Sequence, residues 1–305
     1  MGRFRVWGPG GAPYGGRVSE LSRVVVVLNP NSTGDGPSNA RALRDELDGV
    51  VPVELVETQH AGHAEELARD AVRADAGTLV VSASGDGGYH EVVNGVVDAG
   101  QGLAAVLPSG NANDHATAIQ DRPLVEAIRA VVGGEPVTRI DLLEVSGAGR
   151  RRVAHSYVGV GISPVAAAAL NEHDLDAVKE SFLVVHAFWK YRPLTITHDG
   201  DDIQLDSLVF ANIDRMAKYA QLADDSAPDD GRYETLLIPH RGKLRLLAEF
   251  ARVLRGAHPV RSRSEPYEFR THTPMPLQLD GEVFHVEAGS TVTVRCLPRA
   301  LRTVL

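Results

Sequence analysis

Short runs of β-branched residues alternate with stretches of helical periodicity between Leu21 and Val145, and this alternation restricts the fold more than any other feature. The predicted strands are Val24–Leu28, Val53–Val56, Thr78–Val81 and Leu103–Leu107. The predicted helices are Ser38–Leu47, Ala61–Arg73 and Tyr89–Val97. Strands and helices in this order form a parallel sheet covered by helices on both faces. We therefore predict a doubly wound, Rossmann-like α/β domain over residues 21–138, with ligands bound beyond the carboxyl ends of its strands.

The pattern changes after Arg139, where strand-like runs follow one another with few helices between them. These runs are Ile140–Val145, Val153–Val160, Leu194–His198, Ile203–Ala211, Tyr233–Ile238, Leu277–Leu279 and Thr291–Cys296. Such a series is typical of antiparallel sheet, here with helices predicted at Leu175–Lys190 and Lys243–Arg255. We predict a mainly antiparallel β domain over residues 139–290, and a last segment, 291–305, that returns as a strand to the first domain. Residues 1–20 are rich in glycine and are predicted to be a disordered tail.

Composition excludes several classes of protein. The formal net charge of −9 argues against nucleic acid as a partner, since a general nucleic-acid binder carries a basic face. A single cysteine, Cys296, excludes an internal disulfide and a cysteine-based zinc site, and it indicates a reducing, cytoplasmic setting. The longest apolar runs fall far short of the roughly 20 residues that cross a bilayer. The histidines show no ligand-like cluster, and His60 and His63 have no obvious partners.

The strongest local signal follows the third predicted strand, where Gly85, Gly87 and Gly88 lead into a helix. Glycines at this point let the backbone approach a phosphate closely, and a helix N-terminus offers N–H donors and the positive end of its dipole. Asp86 would repel a bare phosphate unless Mg²⁺ bridges the two or the side chain turns away. The alternative is a tight turn capped by Asp86 without any ligand.

Two more strand ends carry glycine together with amide or hydroxyl side chains. Asn29 and Ser32 follow the first strand, and Gly110, Asn111 and Asn113 follow the fourth. Such groups can hydrogen-bond a ribose or a phosphate at the carboxyl edge of a parallel sheet. The alternative at the fourth strand is a helix N-cap, which these residue types also favour.

Asp280 and Glu282 flank Gly281 near the end of the chain. In an extended segment two carboxylates at this spacing face the same side, where they can orient a hydroxyl group and attract Mg²⁺. An Asp-Gly pair also favours a two-residue hairpin turn between Leu277–Leu279 and Val283–His285. The residues alone leave both interpretations open.

In this order the motifs resemble the diacylglycerol kinase catalytic-domain family, which includes bacterial lipid kinases and the sphingosine and ceramide kinases and is distantly related to NAD kinases. The matching positions are Asn29-Pro-x-x-x-Gly34, Thr58, Ala64, Gly85-Asp86-Gly87 with Glu91 and Asn94-Gly95, Pro108-x-Gly110-x-x-Asn113-Asp114, and Asp280-Gly281-Glu282. The resemblance extends over nearly all of the chain after the tail. It identifies the superfamily and leaves the substrate open.

The resemblance implies an ATP- and Mg²⁺-dependent kinase that phosphorylates a hydroxyl of a diacylglycerol-like or related lipid. It implies that the nucleotide is surrounded by Asn29, Ser32, Thr58, Gly85, Asp86, Gly87, Gly88, Glu91, Gly110, Asn111 and Asn113. It also implies that Asp280 accepts the proton of the substrate hydroxyl, with Glu282 beside it, and that Asp230 in an Asp-Gly loop helps to hold Mg²⁺. Without the family, the loop around Asp230 is typical of solvated surface.

The chain departs from the family pattern close to the predicted site. Ser84 and Gly88 replace the first glycine and the threonine of a Gly-Gly-Asp-Gly-Thr loop, and Asn111 replaces a threonine. The family has a glycine run before the acidic loop, and Ala217-Lys218-Tyr219 replaces it in this chain. Lys218 is a candidate phosphate contact. Two alternatives therefore stay open: an NAD kinase-like enzyme acting on a soluble dinucleotide, and a nucleotide- or lipid-binding relative that has lost catalysis.

The predicted helix Lys243–Arg255 is basic and amphipathic. Its apolar face consists of Leu244, Leu247, Ala251 and Leu254. Such a helix can lie on an anionic membrane, and would bring a lipid kinase to its substrate at the inner face of the membrane. The alternative is an ordinary helix packed on the second domain. The sequence leaves the oligomeric state open, with a homodimer among the arrangements it allows.

Overall fold

The computed structural model describes residues 21–30, 35–109, 114–147, 149–161, 192–213, 215–216, 220–221, 227–253 and 260–305. Several predictions fall outside these residues. They are the tail 1–20, the helix Leu175–Lys190, and the positions of Ser32, Gly110, Asn111, Asn113 and Lys218.

The first domain is an α/β unit with one parallel sheet. Its strands are β1 Arg23–Leu28, β2 Val53–Glu57, β3 Thr78–Ala83 and β4 Leu103–Val106. Its helices are α1 Gly36–Glu46, α2 His63–Ala74, α3 Asp86–Ala99, α4 Asp114–Ile119 and α5 Leu124–Val132. The sheet order is β2-β1-β3-β4, with α1 and α5 on one face and α2 and α3 on the other. This arrangement confirms the predicted doubly wound fold.

The apolar run of β1 shows why these residues take up this fold. Val24 and Val26 pack in the core beneath α1 and α5, while Val25 and Val27 pack in the core beneath α2 and α3. Because successive side chains of a strand point to opposite faces, one continuous valine run contributes to both cores. A strand of this kind is stable only at the centre of a sheet covered on both sides.

Within the described residues, the second domain is built on an antiparallel sheet of eleven strands. They are β5 Thr138–Gly147, β6 Arg150–Ala154, β7 Tyr157–Gly161, β8 Leu194–His198, β9 Asp201–Ala211, β12 Tyr233–Pro239, β13 Arg261–Arg263, β14 Tyr267–Thr271, β15 Met275–Leu279, β16 Glu282–Val286 and β17 Thr291–Thr303. A separate pair is formed by β10 Arg215–Met216 and β11 Ala220–Gln221, and the described part of this domain also includes the helix α6 Lys243–Val253. The sheet order is β16-β15-β7-β9-β8-β14-β17-β5-β6, and β12 pairs with β9 and β13. The predicted antiparallel second domain is confirmed.

The predicted continuous strand Val153–Val160 is wrong. The strand is interrupted at His155 and Ser156, so that β6 pairs with β5, whereas β7 pairs with β9 and β15. The break turns three successive backbone N–H groups toward one carboxylate of the second domain, which is described below. A long-range contact therefore interrupts a run that looks continuous in sequence.

The end of the chain belongs to the second sheet by hydrogen bonding and to the first domain by packing. β17 pairs with β14 at its start and with β5 along most of its length, with an irregularity in the β5 pairing between Leu297 and Leu301. Leu301 packs in the core beneath α2 and α3, and Val304 packs in the core beneath α1 and α5. Arg122 Nε donates a hydrogen bond of 2.8 Å to the Leu305 carbonyl oxygen. The two domains therefore share packing at this edge.

The helix α6 covers part of the predicted basic helix. Leu246 is buried, while Arg245 and Arg252 are exposed. The side chains of the predicted apolar face, Leu244, Leu247, Ala251 and Leu254, lie outside the described part of the structure. Within the described residues, no helix has the length and apolar content needed to cross a membrane.

Candidate active site

A cleft of about 540 Å³ lies beyond the carboxyl ends of β1, β2 and β3. Its lining includes seven of the predicted site residues: Asn29, Thr58, Gly85, Gly87, Gly88, Glu91 and Glu282. Six of them come from the first domain, while Glu282 comes from the β15–β16 hairpin of the second. The fold thus brings residues separated by more than half of the chain to one surface.

The helix α3 begins at the glycine-rich segment, earlier than the predicted start at Tyr89. Gly85 is the N-cap, so Gly87 and Gly88 lie in the first helical turn. N–H groups in this turn have no intrahelical acceptor, and the helix dipole adds partial positive charge there. Gly85 has no side chain that could cap this terminus, and the alternative of a turn capped by Asp86 stays a prediction. The terminus has the composition of a phosphate-binding site.

Ser84 explains why position 88 is glycine in this chain. A Cβ atom added at Gly88 would lie 2.1 Å from Ser84 Oγ and 2.9 Å from Ser84 Cβ. The Ser84 hydroxyl also lies 2.6 Å from Ser82 Oγ, which fixes its position. Ser84 therefore fills the space that a side chain at position 88 would occupy, and Ser84 also lines the cleft.

Glu91 has a structural partner of its own. Its Oε1 accepts a hydrogen bond from the Gly62 N–H at 2.9 Å, and its Oε2 accepts one from the Ala64 N–H at 3.1 Å. Gly62 is the N-cap of α2, so the carboxylate satisfies two N–H groups at this helix start. Glu91 therefore fixes α2 against α3 at the floor of the cleft, and its predicted contact with the nucleotide stays a prediction.

Asp280 is fully buried and lies in a hairpin turn. Its φ is 49° and that of Gly281 is 101°, and Leu279 pairs with Glu282 across the turn. The alternative of an extended segment with both carboxylates on one side is therefore wrong, and the Asp-Gly hairpin is correct. The turn separates the two carboxylates: Asp280 points into the protein, whereas Glu282 is exposed and lines the cleft.

Both oxygens of Asp280 are bound by protein donors. Oδ1 accepts from the Ser156 N–H at 2.9 Å and the Tyr157 N–H at 3.1 Å, and Oδ2 accepts from the His155 N–H at 2.8 Å and His90 Nδ1 at 2.9 Å. Burial opposes ionisation, but His155 and His90 outweigh it and hold the pKa of Asp280 well below its usual range. The ionised carboxylate thus connects α3, the β6–β7 break and the hairpin that carries Glu282.

Three buried aromatic side chains pack beside this carboxylate. The His155 ring lies 4.7 Å from Tyr89 and 4.5 Å from His115, measured between centroids. Burial lowers the pKa of both histidines, so they are neutral near pH 7. Sequence reasoning missed His90, His115 and His155. The sequence signals two of them, since His90 lies between the glycine loop and Glu91 and His115 follows the polar turn after β4, whereas no local pattern marks His155.

Asp230 does not line the cleft. It is exposed, and its Oδ1 accepts a hydrogen bond of 2.8 Å from the Arg232 N–H. The neighbouring Gly231 N–H donates to Asp141 Oδ2 at 2.6 Å, which anchors the loop on the buried Asp141. The metal role of Asp230 stays a prediction from the resemblance.

The expectation that the histidines form no ligand-like cluster is wrong. His60, His63 and Glu66 place their ligand atoms within 4.8 Å of one another, and His60 also lines the rim of the cleft. However, His63 Nδ1 accepts a hydrogen bond from the Gln59 N–H, which places the proton of the neutral ring on Nε2. Mg²⁺ prefers oxygen ligands, so within the cleft lining the exposed carboxylate of Glu282 suits that ion better.

Comparison with known proteins agrees with the geometry. Residues 23–145 match the family described as "Diacylglycerol kinase catalytic domain", and residues 156–305 match "YegS C-terminal NAD kinase beta sandwich-like domain". A diacylglycerol kinase of Bacillus subtilis (strain 168) is 27% identical over 264 residues, 78% of this chain and 81% of that protein. One of Staphylococcus carnosus (strain TM300) is 26% identical over 245 residues, 74% of this chain and 76% of that protein.

The fold has a counterpart among solved structures. A crystal structure of a diacylglycerol kinase from Bacillus anthracis str. Sterne superposes with a TM-score of 0.64 at 15% identity, covering 93% of this chain and 97% of that chain. The likeness confirms the two-domain architecture. The two family matches confirm the resemblance drawn from the motifs: residues 23–145 match the diacylglycerol kinase catalytic domain, and residues 156–305 match the C-terminal domain described above.

Proposed function

We propose that the protein is a lipid kinase that transfers the γ-phosphate of ATP, with Mg²⁺, to a hydroxyl group of a diacylglycerol-like lipid. The observation that carries this proposal is the position of Glu282 opposite the start of α3. Its Oε1 lies 3.1 Å from the point that a Cβ of Gly87 would occupy. A phosphate-binding helix terminus and a carboxylate from the other domain therefore face one cleft, and the relatives named as diacylglycerol kinases support the same reaction class.

The cleft fits the phosphates of a nucleotide. Gly87 and Gly88 present backbone N–H groups without a Cβ in the way, and Asn29 and Thr58 add an amide and a hydroxyl at neighbouring strand ends. When bound, Mg²⁺ neutralises phosphate charge, and it is commonly held by one or two carboxylates together with the phosphates. Glu282 is the residue of the cleft lining that would hold it. Catalysis in such a site is chiefly orientation and charge stabilisation.

The two carboxylates of the hairpin take different roles in this proposal. Glu282 is exposed to the cleft and can meet a substrate hydroxyl directly. Asp280 is a positioning residue in the present arrangement, because its four hydrogen bonds fix the turn from which Glu282 projects. For Asp280 to accept a proton, as the resemblance implies, at least one of these bonds has to break when substrate binds.

The lipid acceptor places the enzyme at a membrane surface. We propose that α6 makes this contact at the inner face of the membrane, with the exposed Arg245 and Arg252 toward anionic head groups and Leu246 packed in the domain. A peripheral helix of this kind brings the cleft to its substrate without a membrane span.

The proposal is tested by transfer of radiolabelled γ-phosphate from ATP and Mg²⁺ into a total-lipid extract, with soluble NAD assayed in parallel. We expect a labelled lipid with the wild-type protein and loss of at least about a hundredfold in rate with Glu282→Gln. A control variant, Glu268→Gln, changes an exposed glutamate of β14 outside the cleft and leaves the rate unchanged. Label in NADP alone would instead establish the NAD kinase-like alternative, and ATP binding without transfer to either acceptor would establish an inactive relative.

A further inference from the structure

A second cleft, of about 640 Å³, lies in the β-rich domain and shares no lining residue with the candidate active site. It is bounded by the β8–β9 turn, β9, β12, β13, β14 and α6. Ile203 near one end of β9 lines this cleft. Just past the other end of β9, the Asn212 N–H donates a hydrogen bond of 2.8 Å to the carbonyl oxygen of Ser156, in the β6–β7 break beside the candidate active site. At ~3.3 Å per strand residue, Ile203 and Asn212 are separated by roughly 30 Å.

The lining of this cleft is basic in an otherwise acidic chain. It contains four arginines and two carboxylates: Arg241, Arg252, Arg261, Arg263, Asp199 and Glu249. Arg252 pairs with Glu249 at 2.8 Å. Within the described part of the chain, the other three arginines form no ion pair. Their charge is therefore available to an anion, although the protein carries a net charge of −9.

Three buried polar atoms of the lining have no hydrogen-bond partner among the described residues. They are Tyr267 OH, Thr235 Oγ1 and Arg263 Nε. Tyr267 is only 2% exposed and Thr235 only 5%, and both line the cleft. Buried polar atoms are nearly always satisfied, because leaving one unpaired is costly. Three such atoms around one cleft indicate that a ligand completes them.

The three groups are neighbours and are held in place. The guanidinium carbon of Arg263 lies 5.1 Å from the centre of the Tyr267 ring, and the His198 ring stacks on Tyr267 at 3.8 Å. Burial raises the pKa of Tyr267 to about 12, so its hydroxyl keeps its proton and can donate. The hydroxyl of Thr235 can donate as well, and the arginines only donate. The missing partner is therefore an acceptor with negative charge.

We propose that this cleft binds a phosphate group, carried either by an anionic phospholipid or by a small soluble phosphate compound. A phosphate offers several acceptor oxygens in a tetrahedral arrangement, so it can accept from Thr235, Arg263 and Tyr267 on three different strands. Arginine forks match phosphate oxygens particularly well. The site is independent of the kinase reaction proposed above, and its test requires no catalytic activity.

The first measurement is binding of inorganic phosphate to the full-length protein by calorimetry, together with the shift in Tm that phosphate causes. Arg263→Gln is expected to raise the Kd about tenfold. Tyr267→Phe removes only the hydroxyl and keeps the ring that packs on Phe210, and we expect a smaller rise of about threefold. Arg150→Gln is the matched control, since it removes an exposed arginine of β6 outside the cleft and leaves the Kd unchanged.

Cosedimentation with vesicles distinguishes the two sources of the phosphate group. Vesicles of phosphatidylcholine alone are compared with vesicles that also contain phosphatidic acid. If the protein cosediments with the vesicles that contain phosphatidic acid and Arg263→Gln reduces this cosedimentation, the site binds a lipid head group. If the protein binds inorganic phosphate but cosediments with neither kind of vesicle, the site binds a soluble compound. If Arg263→Gln fails to fold, Arg261→Gln on the exposed rim replaces it. Absence of binding in both assays, or equal weakening by the cleft variant and Arg150→Gln, overturns the proposal.

Discussion

Replacing Gly88 by alanine is expected to destabilise the protein, although alanine is the better helix former. The new Cβ would lie 2.1 Å from Ser84 Oγ and 2.9 Å from Ser84 Cβ. Rotation of the hydroxyl relieves the first contact but not the second, because Ser84 Cβ is attached to the backbone. Rotation also breaks the 2.6 Å hydrogen bond between Ser84 Oγ and Ser82 Oγ.

The magnitude follows from two opposing effects. Forcing an extra carbon into a packed site costs about 1–3 kcal/mol. Replacing glycine by alanine inside a helix by itself stabilises the folded protein by about 0.5–1 kcal/mol. We therefore expect Gly88→Ala to lower the free energy of unfolding by about 1 kcal/mol. Ser84→Gly removes both clashing atoms, so the double variant Ser84→Gly with Gly88→Ala is expected to recover most of the loss.

The free energy of unfolding of the wild type, the two single variants and the double variant is measured by urea denaturation followed by circular dichroism. Neighbouring residues in contact typically show interaction energies of about 0.5–3 kcal/mol, and we expect a value near 1 kcal/mol here. Additive effects of the two substitutions, or a Gly88→Ala variant as stable as the wild type, would refute the close packing of Ser84 against position 88. In that case the absence of a threonine at 88 would need another explanation.

Three further predictions use the same measurement of stability. Glu91→Gln is expected to cost about 1 kcal/mol because it weakens the cap on α2, whereas Glu46→Gln at an exposed position has no effect. Asp280→Asn is expected to cost about 3 kcal/mol or more, since an amide N–H would face backbone N–H donors; stability equal to the wild type would contradict the network. Stability is expected to fall as the pH is lowered from about 7 to about 5, because His115 and His155 bind protons in the unfolded chain but stay neutral when buried. Each histidine lowers the free energy of unfolding by up to about 1.4 kcal/mol per pH unit. A stability that does not change over this pH range would contradict their lowered pKa values.

The first domain could be predicted from sequence because its signal is local. A run such as Val24–Leu28 is too apolar for a surface strand and too short for a helix of ordinary length, so it indicates a central strand. The segments between the strands carry apolar residues at helical spacing. The carboxyl edge then follows from topology, and Asn29, Thr58 and the glycines do meet in one cleft there.

The second domain was predicted less completely because its short strands depend on distant partners. β13 is the polar tripeptide Arg-Ser-Arg, and it is a strand only because it pairs with β12. The break at His155 and Ser156 depends on a carboxylate more than a hundred residues away, so no local pattern reveals it. The Asp-Gly pair did indicate the hairpin turn, but the burial of Asp280 depends in the same way on a distant partner, His90 of the other domain.

The contacts around Asp280 also determine how far the two halves of the cleft can move. Asn94 of α3 donates to the Val153 carbonyl at 2.9 Å and accepts from the Val153 N–H at 3.1 Å, which adds a second buried connection between the domains beside the bond from His90 to Asp280. Opening the cleft by rotating the domains would expose an ionised carboxylate and unpair these groups, at a cost of several kcal/mol. The start of α3 and Glu282 are therefore held at a fixed separation before any ligand binds. A site whose polar groups are already in place avoids the cost of ordering them during the reaction, which is the condition under which orientation and charge stabilisation contribute most to phosphoryl transfer.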